Sequence, residues 1–391
     1  MKQFPEVFCP APGMPGTGIF LELRFAKKMM SQISDVITDK ELEWIARYIE
    51  NPSPTGNERS GQRMWLDYIS DYIDDKIIDI YGNVAGIINP GKDFKVVIEA
   101  HADEIAWYVH TISQDGYLHV ESTGGTDPGI SPSQRVHIHT ANGRIDGLFG
   151  WPAIHVRPMP EQTPDKSNIF IDIGCKSKEE AEAMGIQVGD LITYECQFKV
   201  LNNNYYVGRA LDNRMGGFAI ARVAQMLKQN KIELPYTLYV VNCVQEEVGT
   251  KGAQMMVETI RPDCVIVTDV THATRMPMMD INKEGDIDLG KGVVITKSPP
   301  IHNKLRQLLI STASEYDIPV QLAAVSKQTG TDADAFAYAA GGIPTALLSM
   351  PLRYMHTTVE TTHKDDVVGM IRLLYHALQK INPKMDLHYA I

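Results

Sequence analysis

The chain is 391 residues long, which at roughly 150 residues per domain predicts two to three domains. A hydrophobic fraction of 44% and a charged fraction of 22% are those of an ordinary globular protein and exclude wholesale disorder or a fibrous repeat. Lys+Arg 37 against Asp+Glu 48 leave a net charge of −11, the wrong sign for a nucleic-acid scaffold. No apolar run approaches the ~20 residues that span a bilayer, so no membrane partner is expected either.

The cysteines stand at Cys9, Cys175, Cys196, Cys243 and Cys264, with no C-x-x-C pair among them. An odd, scattered set suits a reducing compartment, where such residues behave as small buried hydrophobes. Near the N-terminus the apolar piece Gly18–Leu21 is interrupted by Glu22 and Arg24 before an export signal could form. These features predict a cytoplasmic protein.

Residues 1–35, broken by Pro5, Pro10, Pro12 and Pro15, read as a poorly ordered extension. Leu42, Ile45 and Ile49 then fall at helical spacing and predict a helix over Glu41–Glu50. A second is predicted over Glu58–Asp75 from Trp65, Tyr68, Ile69, Tyr72 and Ile73, with a Pro- and Gly-bearing loop, Asn51–Asn57, between them. Val96-Val97-Ile98 reads as a short buried strand. From about Ala106 to Val207 short alternating pieces (Val136–His139, Asn168–Asp172, Leu191–Tyr194) are separated by Gly, Pro and Asn, as in an all-β module.

Helical patterns return at Asp212–Gln229 and alternate with strands to the end. Strands are predicted at Thr237–Val244, Cys264–Thr268, Gly292–Thr296, Val320–Val325 and Thr345–Ser349. Helices are predicted at Ala253–Thr259, His302–Glu315, Ala333–Ala340 and Asp366–Lys380. This alternation predicts an α/β fold, a mostly parallel central sheet flanked by helices. One unit is assembled from 36–105 and 208–391, and the β module of 106–207 is inserted into it.

In such sheets ligands gather beyond the carboxyl ends of the strands. Here those ends carry His101, Asp103 and Glu104, then Glu246 and Glu247, then Asp269; Asp212 opens a helix and His356 follows the last strand. Singly, each has an ordinary explanation: a helix cap for Asp212, a core imidazole for His101, a solvated pair for Glu246 and Glu247, a turn cap for Asp269. Together they would crowd several carboxylates and two imidazoles at one rim, where like charges repel unless cations neutralise them. Imidazole and carboxylate donors without thiolate suit two divalent ions, zinc first, with cobalt or manganese as alternatives. Of the Glu246–Glu247 pair, one carboxylate can bind metal while the other moves a proton. His137 and His139 share one strand face, but nothing nearby supplies further ligands, so they are read as structural.

His101-Ala-Asp-Glu-Ile105, Gly208-Arg-Ala-Leu-Asp-Asn-Arg214, Val244-Gln-Glu-Glu-Val-Gly249, Asp269-Val-Thr-His-Ala273 and Arg353-Tyr-Met-His-Thr357 stand in order. Together they resemble the glutamyl and tetrahedral aminopeptidases, dinuclear metallopeptidases of the bacterial and archaeal cytoplasm. The likeness runs over roughly 40 to 380. It implies a zinc-peptidase type fold and removal of the N-terminal residue from short peptides. It also implies a homo-oligomer, a dodecamer in this family, with the inserted β domain serving assembly. On this likeness His101 binds one metal and His356 the other, and Asp212 bridges both. Glu247 and Asp269 complete the two coordination spheres, Glu246 is the general base, and Asp103 orients the His101 imidazole. Ala102, Ala106-Trp107 and Arg275 depart from the family's commoner residues; none is a ligand position.

Overall fold

The computed structural model describes residues 36–157 and 162–389. The extension expected over 1–35 lies outside them. Helix α1 (Asp39–Glu50) starts at a capping box between Thr38 and Glu41 and buries Trp44, Ile45, Tyr48 and Ile49 along one stripe. In α2 (Arg59–Ile69) the buried Trp65 donates from Nε1 to the Gly217 carbonyl at 2.8 Å. The helix expected to run to Asp75 ends at Ile69; a 3-10 turn, Ser70–Tyr72, hands the chain to β1 (Asp75–Ile78). The reason lies in the sheet. Ile69 and Ile73 close over Gly86, where a Cβ would come within 2.8 and 2.7 Å of them, and that packing overrides the helical spacing.

Strands β2 (Val84–Ile88) and β3 (Lys95–His101) complete this first part. The chain then enters β4 (Ala106–Ile112), β5 (Leu118–Thr123), β6 (Arg135–Thr140), β7 (Gly143–Gly150) and β8 (Phe170–Asp172). After the short α3 (Lys178–Ala183), β9 (Leu191–Tyr194) closes them into a barrel ordered β4-β5-β8-β7-β6-β9. Its interior is a separate apolar core that includes Trp107, Val136, Ile138, Phe149 and Ile171. The hairpin β10 (Lys199–Leu201) and β11 (Tyr205–Gly208) leads out of it.

The second part runs α4 (Leu211–Gln229), β12 (Thr237–Cys243), α5 (Lys251–Ile260), β13 (Cys264–His272), α6 (Ile281–Glu284) and β14 (Val293–Lys297). It continues with α7 (Asn303–Glu315), β15 (Val320–Ala324), α8 (Asp332–Ala337), β16 (Thr345–Leu352), β17 (Glu360–His363) and α9 (Lys364–Leu378). The eight-stranded sheet is ordered β1-β2-β12-β3-β13-β16-β14-β15. Its centre, β12, β3, β13 and β16, is parallel; the β1–β2 hairpin and the β16–β14 pair are antiparallel. Helices α1, α2, α4, α7 and α9 share one apolar core on one face, and α5 and α8 share another on the opposite face. This is the expected α/β architecture with an inserted barrel.

β13 and β16 both run on past the ends that the sequence suggests. β13 and β16 remain paired from Val265–Thr345 to His272–Leu352, whereas the β13–β3 ladder ends at Val267–Glu99. Asp269 therefore sits inside a strand that overhangs its neighbour. Where the chain enters and leaves the barrel, Arg209 grips Glu104 through both nitrogens, Nε–Oε2 at 2.6 Å and Nη2–Oε1 at 3.2 Å, and both side chains are buried. A forked, charge-assisted pair of this kind fixes the two crossings against one another. Among the described residues no helix is long and apolar enough to cross a membrane.

Candidate active site

The overhang of β13, the end of β3, the loop after β12, the start of α4 and the loop after β16 meet at one rim of the sheet. Asp212 lies at its centre: Oδ1 is 3.2 Å from His101 Nε2, and Oδ2 is 3.3 Å from His356 Nε2. His101 Nε2 is also 3.9 Å from Asp269 Oδ1, and His356 Nε2 is 3.4 Å from Glu247 Oε1. Two donor groups result, His101–Asp212–Asp269 and Asp212–Glu247–His356, each with its ligand-type atoms within 4.8 Å of one another. They share Asp212. Nitrogen and carboxylate donors in this arrangement fit two adjacent divalent cations, so the side chains present suit the metals that the chemistry calls for.

Three supports hold this arrangement. The Asp103 carboxylate accepts from the backbone N–H of Glu246 (3.0 Å) and of Glu247 (3.2 Å) and from Thr55 Oγ1 (2.9 Å). Asp103 Oδ1 also stands 3.4 Å from His101 Nδ1, so one side chain positions an imidazole and the acidic pair together. The buried Glu360 takes the N–H of Asp212 at 3.1 Å and that of His356 at 2.8 Å. Backbone conformation supplies the third support. Ala210, Gln245 and His356 all have positive φ (56°, 57° and 62°), a region that side chains other than glycine seldom adopt and that recurs at functional loops. The barrel reaches in as well: the Gly125 carbonyl is 3.2 Å from His356 Nδ1, and a Cβ on Gly125 would come within 2.5 Å of that nitrogen.

The charges are in tension. Burial would raise the Asp212 carboxyl, but the two imidazoles outweigh it and hold Asp212 far below the usual range. Burial pushes Asp269 well up, helped by Asp212, and lifts Glu247 as well. Glu246 is driven to about 10 by burial, with His101 opposing and Asp269, Asp332 and Glu247 adding to the rise. A rim of carboxylates that resist ionisation in a dry site is an electrostatic demand for cations.

All the residues singled out in the sequence thus lie at one place: His101, Asp212, Glu247, Asp269 and His356 in the two donor groups, Glu246 and Asp103 beside them. The helix-cap explanation of Asp212 falls away, because its two oxygens face the His101 and His356 imidazoles at 3.2 and 3.3 Å. His137 and His139 bond Asp146 and Thr193 on the barrel and belong to no donor group among the described residues. His363 ends β17 and caps α9 by accepting from the Asp365 N–H. Sequence reasoning missed Glu360, Thr55 and Gly125. The one available signal was that Glu360 follows His356 by four residues across a short loop.

The family profile described as M42 glutamyl aminopeptidase matches residues 82–373, a span that contains every rim residue. The lysyl aminopeptidase of Pyrococcus furiosus is 34% identical over 347 residues, covering 87% of this chain and 97% of that relative. The crystal structure of the TET aminopeptidase from a marine-sediment Thaumarchaeota archaeon superposes with a TM-score of 0.85 at 30% identity, covering 88% of this chain and 98% of the other. The TET1 peptidase of Pyrococcus horikoshii, which can assemble into a tetrahedron or a large octahedral shell, gives a TM-score of 0.76 at 28% identity over 86% and 98% of the two chains. A rim built for metal-assisted hydrolysis and these likenesses lead to one conclusion: the chain belongs to the M42 glutamyl aminopeptidase family and is a peptide hydrolase of the aminopeptidase type.

Proposed function

We propose that this aminopeptidase removes single residues from the N-termini of short peptides using two divalent ions, zinc by preference, held by His101, Asp269, Glu247 and His356 with Asp212 between them. The observation that carries this reading is the placement of the two Asp212 oxygens against two different imidazoles, at 3.2 and 3.3 Å. Bound ions of this kind polarise a scissile carbonyl, lower the pKa of a water and hold a free α-amine. The chain supplies the rest. Glu246 belongs to neither rim donor group, yet it is partly buried among them; cations at the rim would offset the burial that keeps its carboxyl protonated, and the carboxylate would then take a proton from the attacking water and return it to the leaving amine. Asp103 holds the Glu246 and Glu247 amides, so the proton-moving carboxylate keeps its place relative to its neighbour. Glu360 and the Gly125 carbonyl orient Asp212 and His356.

The same reading assigns 36–105 and 208–391 to the catalytic unit and the barrel of 106–207 to assembly. It places the chain in the cytoplasm as a homo-oligomer of the TET type, a dodecamer. The test is a panel of aminoacyl-p-nitroanilides, free and N-acetylated, offered to metal-loaded wild type and Glu246→Gln. Cleavage confined to the free-amine set, and lost in the variant while its metal content is unchanged, supports the proposal. Turnover of the acetylated set would move the activity to an endopeptidase, if p-nitroaniline is released, or to a deacylase, if acetate is.

A further inference from the structure

Beneath the rim lies a second set of donors that the peptidase chemistry does not use. Glu99 precedes His101 by two residues on β3 and so shares its face of the strand. Around Glu99 gather the Cys243 thiol, from the end of β12, and the Asp332 carboxylate, from the first residue of α8. One ligand-type atom from each of the three lies within 4.8 Å of the others, and all three side chains are buried. No N–H or hydroxyl group donates to any of the four carboxylate oxygens, whose polar neighbours are one another and the thiol. Two residues along, Asp334 shows the ordinary condition, accepting from the Thr329 and Gly330 amides at 3.0 and 2.8 Å.

Buried carboxylates left this way are costly unless something neutralises them. A proton shared between the two carboxyls, with the thiol donating to Glu99, would engage some of the four oxygens and leave the rest dry. A cation engages all three side chains. We propose that Glu99, Cys243 and Asp332 form a buried cation site of their own, suited to a thiophilic divalent ion such as zinc or cobalt and separate from the rim. One sulfur and two carboxylates match the donor preferences of those ions. Binding displaces the thiol proton to solvent and leaves the sulfur as thiolate. Because the three donors come from β3, β12 and α8, the ion ties the start of α8 to the underside of the His101 ledge.

The rim donor groups contain no sulfur, which makes the assignment testable by spectroscopy. The full chain is stripped of metal and saturated with Co²⁺ without oxygen. The expected result is a thiolate-to-cobalt charge-transfer band in the near ultraviolet, and one more equivalent of cobalt per chain than Cys243→Ser retains. That band disappears in Cys243→Ser and persists in Cys264→Ser, which removes the other buried thiol among the described residues. If Cys243→Ser does not fold, a chain with serine at positions 9, 175, 196 and 264 takes its place, and the band persists there. A cobalt-saturated wild type without the band overturns the proposal in favour of a shared proton, and so does a band that survives Cys243→Ser or is lost from the four-serine chain. The band reports thiolate ligation alone, so its outcome is independent of how many ions the rim holds.

Discussion

The two halves of the rim are built differently. His101 and Asp269 stand on neighbouring parallel strands, and both are nearly sealed from water, at 2% and 5% exposure. His356 and Glu247 stand on loops, and the His356 side chain is 28% exposed. A strand sets its residues by register, so the first half needs little beyond the ladder of β3 and β13. The loop half has no ladder, and its residues are held by a positive-φ backbone, by Glu360 and by a glycine of the barrel. The lesson is that one bridging carboxylate can join a rigid, dry half-site to a more open one.

The largest expected effect treats the halves alike. Glu246→Gln should lower kcat by ~10²–10⁴-fold while both halves retain metal, measured by turnover and by metal analysis of the same sample. Loss of metal from either half would mean that Glu246 is a ligand and not a proton carrier. The next prediction separates the halves. His101→Ala leaves the buried Asp212 and Asp269 without their partner and should cost ~3–5 kcal/mol of stability, whereas His356→Ala, at the more open side, should cost ~1 kcal/mol. Equal shifts in denaturant midpoint would erase the distinction.

Glu360→Gln keeps an acceptor for only one of the two amides. It should weaken metal retention in the loop half by ~10–100-fold with little change in the strand half, as read by competition with a chelator. A pH series gives the smallest effect. In metal-free protein Asp269, Glu247 and Glu246 are raised by burial, and His101 and His356 are raised by their carboxylate partners although burial opposes. Folded groups with raised values hold protons that the unfolded chain has lost, so the stability they lend is lost as pH rises through the folded values. Asp212 has the opposite sign, but its contribution is already complete above the ordinary carboxylate range. Chelated protein should therefore lose Tm progressively as pH rises from about 7 toward the folded values of Glu246 and His356, about 10 and 11, relative to metal-loaded protein. A constant difference between the two would break the electrostatic account.

Much of this was legible in the residues because most rim groups follow an apolar strand run. Val96-Val97-Ile98 leads to His101, and Thr237–Val244 leads to Glu246 and Glu247. The barrel showed in its alternation, and its core residues Val136 and Ile138 do alternate with His137 and His139. What stayed hidden was set by tertiary pairing. β13 reads as ending at Thr268 because polar residues follow, yet its ladder with β16 continues to His272. Glu360 carried only its spacing from His356, since its role depends on two amides, one distant in sequence and one across a loop. Glu99 falls just past the apolar run Val96-Val97-Ile98, and its thiol and carboxyl neighbours come from two other elements.

The contact of Gly125 with His356 bears on how such a chain can be rebuilt. The barrel is continuous in sequence and has its own core, which invites its treatment as an exchangeable cassette. Its loop nevertheless touches a side chain more than two hundred positions later, and with no room for even a methyl group. A transplanted barrel that supplied any other residue there would carry its own packing intact and disturb the host's chemistry. Modularity here stops at one glycine.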